Sequence, residues 1–105
     1  MSLEYEPFNP DTFADACEYI ANHCKEIESV KLMHDKGTLL QSLKCLSVFI
    51  DDLVGIVRVA ALDQISKIIE DTRLIVVSID PANWSRVLPR VESNLMAIRK
   101  VVRAR

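Results

Sequence analysis

Apolar side chains in this chain recur at alternating steps of four and three residues, and that spacing constrains the fold more than any other feature. Phe13, Cys17, Ile20, Cys24 and Ile27 form one such series. Leu39, Leu43, Leu46, Ile50, Leu53, Val57 and Ala60 form a second, and Trp84, Leu88, Val91, Leu95, Ile98 and Val102 a third. An α-helix turns once in about 3.6 residues, so these steps keep each series on one stripe, whereas a strand would need alternation by two. Half of the residues are hydrophobic and 27% are charged, which supplies a core for a chain of 105 residues, the size of one domain. Glycine occurs only at Gly37 and Gly55 and proline only at Pro7, Pro10, Pro81 and Pro89. An all-β domain would need a turn signal roughly every 8–12 residues, and these are too few. The expected fold is therefore all-α, an antiparallel helical bundle of four to five helices forming a single domain over 1–105. A short α-solenoid fragment is the alternative.

Residues 1–9 show no period and are expected to be a loose lead-in. Asn9-Pro10-Asp11 reads as a helix start, because asparagine accepts orphan backbone N–H groups and proline suits the first helical position. The spacing predicts helices over 10–28, about 38–50, about 53–72 (reaching 78 at most) and 82–104. Gly37 is the expected break before the second pattern, which begins near Thr38. That pattern has no evident stop before Thr72, and an unbroken helix of about 35 residues would be roughly 52 Å long. Such a rod exceeds the diameter of a compact chain of this size, so a break is expected between Asp51-Asp52 and Gly55. An unbroken helix buried in a dimer is the competing expectation. Leu74 to Ile79 is β-branched and apolar, and reads as a buried helix end or connector rather than a strand lacking a partner. Asp80-Pro81 repeats the cap-plus-proline pattern, and Pro89 is expected to kink or restart the last helix. The final stripe runs to the last residues without a C-cap, as in a chain that continues past Arg105.

Charge is unevenly spread although the net value is only −2. Residues 1–30 carry Glu4, Glu6, Asp11, Asp15, Glu18, Glu26 and Glu28 against Lys25, a net of −6. Residues 81–105 carry Arg86, Arg90, Arg99, Lys100, Arg103 and Arg105 against Glu92, a net of +5. Two oppositely charged ends either attract each other within one fold or mark a charged partner. On the last helix, Arg86, Arg90 and Lys100 fall near the face opposite the Trp84 stripe, and Arg103 flanks it. A face of this kind can grip nucleic-acid phosphates or an anionic membrane. Against that stand an overall acidic pI of about 5.6 and the lack of an aromatic side chain among those bases.

No constellation for catalysis, cofactor or metal emerges. His23, Cys24 and Glu26 are adjacent or nearly so, and helical ligands need spacing of three or four to converge. Asp51 and Asp52 likewise diverge on a helix, and a cap is the better reading. His34 lies two residues before Lys36-Gly37, one short of the spacing in histidine phosphotransfer bundles, and one residue rotates a helical side chain by about 100°. No basic region followed by an apolar run opens the chain, and its longest apolar stretch, Leu53 to Leu62, is interrupted by Arg58. Three cysteines, Cys17, Cys24 and Cys45, lack metal-knuckle spacing and are expected as reduced thiols in a cytoplasmic or nuclear setting.

The stretch from Leu43 to Ile69, centred on Asp52-Leu53-Val54-Gly55-Ile56-Val57-Arg58-Val59-Ala60-Ala61, resembles a HEAT repeat. Asp52, Val57, Arg58, Ala60, Ala61, Ile65 and Ile68 occupy the places of that family's turn aspartate, valine-arginine pair and alanine-rich second helix. The resemblance implies a helical hairpin broken near Asp52 and used for stacking and protein binding. No second copy follows at a fixed period. The sequence thus points to a non-catalytic helical module for protein–protein association or oligomerisation, with no cofactor and no evident small-molecule substrate. Binding of nucleic acid or an anionic membrane through Arg86, Arg90, Lys100 and Arg103 is the alternative, and a phosphotransfer-type bundle stands third.

Overall fold

The first two helices of this protein begin where a short polar side chain satisfies backbone N–H groups that have no helical partner. A computed structural model describes residues 9–29, 35–60 and 62–104, with only the backbone of Lys36 and Ala60. Four helices follow one another: α1 (Pro10–Ser29), α2 (Lys36–Ala60), α3 (Asp63–Val77) and α4 (Trp84–Arg103). Asn9 Oδ1 accepts from the Asp11 and Thr12 N–H groups at 3.0 and 3.2 Å, so α1 starts where the sequence predicts. At α2 the cap is Asp35, whose Oδ1 accepts from the Gly37 and Thr38 N–H groups while its Oδ2 accepts from Thr38 Oγ1 at 2.7 Å. Gly37 therefore sits in the first turn of α2 instead of marking a break before it. Those bonds stabilise the ionised form and hold the Asp35 carboxyl below its ordinary value.

The largest departure from expectation lies within α2. The helix continues through Asp51, Asp52 and Gly55 and ends only at Ala60, so the predicted break at 51–55 is incorrect, as is a single helix through 72. Leu62 instead separates α2 from α3. Its N–H donates to the Val57 carbonyl at 3.3 Å, and its own carbonyl accepts from Ile65 and Ser66 in the first turn of α3. The cause is the phase of the apolar stripe. At about 100° per residue, the buried positions Leu62, Ile65, Ile69, Thr72 and Val76 are rotated by roughly 100° from the α2 stripe ending at Val57. A straight continuation would turn them out of the core. The length argument is also met, since 25 residues make a rod of about 38 Å, inside the 44 Å long dimension of the molecule. The break that the HEAT-like resemblance implies near Asp52 is absent: Asp52 and Arg58 both lie on α2, which ends at Ala60.

Residues 74–77 complete α3, but only Val76 of them is buried; Leu74 and Val77 are exposed. The link to α4 is a closed polar turn. Asp80 Oδ1 accepts from the Ala82 and Asn83 N–H groups, and the Asn83 side chain accepts from Asp80 N–H and donates to the Ser78 carbonyl. This turn holds residues 81–83 out of the helix, so α4 starts at Trp84 instead of 82. Pro89 lies inside α4, and the helix passes through it as one element.

Among the described residues α1 touches α2 and α4, and α3 touches α2 and α4, while the diagonal pairs do not meet. That is the neighbour pattern of a four-helix bundle. The first and last helices share the most extensive contact, which closes the ring and excludes the open solenoid arrangement. The three stripes read from the sequence converge on one core in which Leu46, Ile50, Ile69, Leu88, Leu95 and Ile98 are completely buried. Thr72 joins them because its hydroxyl is satisfied: it donates to the Ile68 carbonyl at 2.7 Å and accepts from Asn94 Nδ2 at 3.1 Å.

Candidate interaction surfaces

The uneven charge of the sequence is used largely inside the fold. Arg99 pairs with Glu18 at 3.1 Å and Arg103 with Asp15 at 3.3 Å, so late residues of α4 meet early residues of α1 and the two helices run antiparallel. Arg103, one of the four bases expected to contact a charged partner, thus belongs to the α1–α4 seam. Arg86, Arg90 and Lys100 remain exposed and have no ion-pair partner among the described residues. Arg86 and Arg90 are one turn apart, whereas Lys100 follows about 15 Å along the axis from Arg90. The basic face is therefore three charges spread over the outside of α4, with Met96 partly exposed between them.

The α1–α4 seam ends differently from how it begins. Glu28 on α1 and Glu92 on α4 meet within hydrogen-bonding reach, acid against acid. One oxygen of each, Glu28 Oε1 and Glu92 Oε2, is buried with no hydrogen-bond partner among the described residues. Burial, then the Glu28 hydrogen bond and charge, push the Glu92 carboxyl up to about 7, with Lys25 opposing.

The other singled-out residues that the structure describes are not brought together. His23 is half-buried edge-on to Phe49, with ring centroids 5.6 Å apart, and its Nε2 lies 3.3 Å from the Ser42 carbonyl. Cys24 points into the core, away from it. Asp51 pairs with Arg73 on α3 at 3.4 Å and Asp52 is exposed, so neither caps a helix and the two do not converge. Among the described residues no group of three or more His, Cys, Asp or Glu side chains could hold a metal ion. His34 lies outside the described residues.

A second surface was not foreseen. On α2, Val48 is 58% and Val59 85% exposed; on α3, Leu74 is 62% and Val77 66% exposed. Val48 and Val59 are about three turns apart and share one azimuth, on the side of α2 opposite its core stripe. The Asp51–Arg73 pair sets the hairpin register, bringing Val48 level with Leu74 and Val77 across the groove between the helices. Near the turn, Arg58 braces the same pair of helices through a two-pronged contact with Glu70 at 2.9 and 3.1 Å. Sequence patterning passed over these residues because each helix already has a complete stripe, and a lone valine off-stripe is unremarkable. Their common side emerges only once α2 and α3 are folded against each other. No family model, no curated protein and no solved structure matches this chain. Among the described residues no helix is long and apolar enough to cross a membrane.

Proposed function

We propose that this protein is a non-catalytic helical module for protein–protein association, and that it docks through the outer face of the α2–α3 hairpin. The observation that carries this reading is the group of Val48, Leu74 and Val77 at one level of the hairpin, with Val59 about three turns further along α2, aliphatic side chains left in water by a bundle whose own core is complete. Exposed aliphatic side chains gathered on one face are a usual mark of a docking site. The Asp51–Arg73 and Arg58–Glu70 pairs that link α2 to α3 lie between Val48 and Val59 on the same hairpin. The three cysteines, free where a secreted domain would use disulfides, favour a cytoplasmic setting.

Self-association is the simplest use of such a face, and light scattering over a range of concentrations tests it. The mass should rise above the 11.9 kDa of one chain as concentration increases, and a Leu74→Lys, Val77→Lys variant should stay at 11.9 kDa with an unchanged helical spectrum. A wild-type chain that is monomeric at every concentration would remove the self-association form of the proposal. A second reading rests on Arg86, Arg90 and Lys100, which have no ion-pair partner among the described residues: contact with nucleic-acid phosphates or an anionic membrane. Its arm of the same experiment is salt-dependent retention on heparin, abolished by charge reversal at those three positions.

A further inference from the structure

Two antiparallel helices joined by Asp15–Arg103 and Glu18–Arg99 would be expected to continue that complementarity along their length. Instead the seam places Glu28 against Glu92 in the last turn of α1. An ionised carboxylate can only accept hydrogen bonds, so two of them in contact have nothing to exchange. A single proton changes this, because it turns one carboxyl into a donor and removes one of the two like charges. We propose that the Glu28–Glu92 contact is a proton-operated latch, which holds the end of α1 on α4 while Glu92 carries its proton and releases it when Glu92 ionises.

Among the described residues, few charged groups face the pair. On α1, Lys25 stands one turn before Glu28 and favours ionisation, while Cys24 is buried beneath and remains a neutral thiol at physiological pH. On α4, Arg99 pairs with Glu18 through Nη2, while its buried Nε has no hydrogen-bond partner among the described residues. The α3 side of α4 carries the neutral Thr72–Asn94 pair, and α2 does not reach α4. Lys31 and His34, which follow α1 in sequence, lie outside the described residues.

The direction of the effect follows from linkage. A carboxyl that binds its proton more tightly in the folded than in the unfolded chain supports the fold below its unfolded value, 4.5, and loses that support as pH rises toward about 7. Amide exchange in residues 25–29, corrected for its intrinsic pH dependence, should accelerate by up to about tenfold per pH unit across that window. Exchange at 13–20, beside the complementary pairs, should not. Glu92→Gln and Glu28→Gln each keep the shape of the side chain, supply a permanent donor, and should flatten the profile. Lys25→Met should move the midpoint upward. A Glu92 carboxyl carbon that titrates at the ordinary glutamate value, or a Glu92→Gln profile as steep as the wild type, would overturn the latch. Neither result depends on whether the α2–α3 face docks a partner.

Discussion

Burial pushes the Cys17 and Cys24 thiols up to about 12, and Glu92 and Glu28 add to the effect at Cys24, whereas Arg99 opposes it at Cys17. Both side chains are fully buried on the α1 stripe, where cysteine acts as a small apolar residue. Since the thiolate is the nucleophile, alkylation by iodoacetamide at pH 8 should modify half-buried Cys45 alone in the native protein and all three cysteines in denaturant. Mass spectrometry of the digested protein reads this directly, and native labelling of Cys17 as fast as Cys45 would refute their burial. These two cysteines were legible from spacing alone. The cap at Asp35 was not, because the same aspartate in a polar run fits a solvated loop equally well until the Gly37 and Thr38 N–H groups are seen to face it.

The elements show where helical periodicity is sufficient and where it is not. α1 and α4 follow their stripes closely, since a single run of apolar positions on each can face only one core. α2 and α3 carry two runs out of phase, and aspartates or a glycine suggest a break that the chain does not make. Gly55 tests the point. It is helical and exposed, and an added Cβ would meet nothing within 4 Å. Gly55→Ala should therefore stabilise the protein by roughly 0.5–1 kcal/mol in urea unfolding, through helix propensity and a less flexible unfolded chain. A hinge at that position would give the opposite sign. Asp51 and Asp52 mislead for a related reason: a helix cap and a solvated helical face both favour aspartate, and only the Arg73 contact distinguishes them.

At the scale of the whole molecule, closure of the ring by α1 and α4 decides between bundle and solenoid. Helices that contact only their sequence neighbours lose stability piecemeal when one is removed, whereas a bundle shares one core. A chain ending at Asp80 would expose Cys17, Ile20, Cys24 and Ile69 together. It should lose its cooperative thermal transition entirely, as followed by circular dichroism at 222 nm, a standard helix wavelength; a truncated chain that still melts sharply would contradict the shared core.

Taken alone, the sequence determined the fold class, the stripes that form the core and the start of α1, because these depend on residues within a few positions of one another. It also carried the charge asymmetry, but not its use: Arg99 and Arg103 are separated from Glu18 and Asp15 by most of the chain, and nothing local says that they meet. The separation of α2 from α3 at Leu62, the Glu28–Glu92 contact and the exposed α2–α3 face belong to the tertiary structure for the same reason. Each depends on the relative rotation and register of two helices, which are set by the packing of the complete core and not by any segment within it.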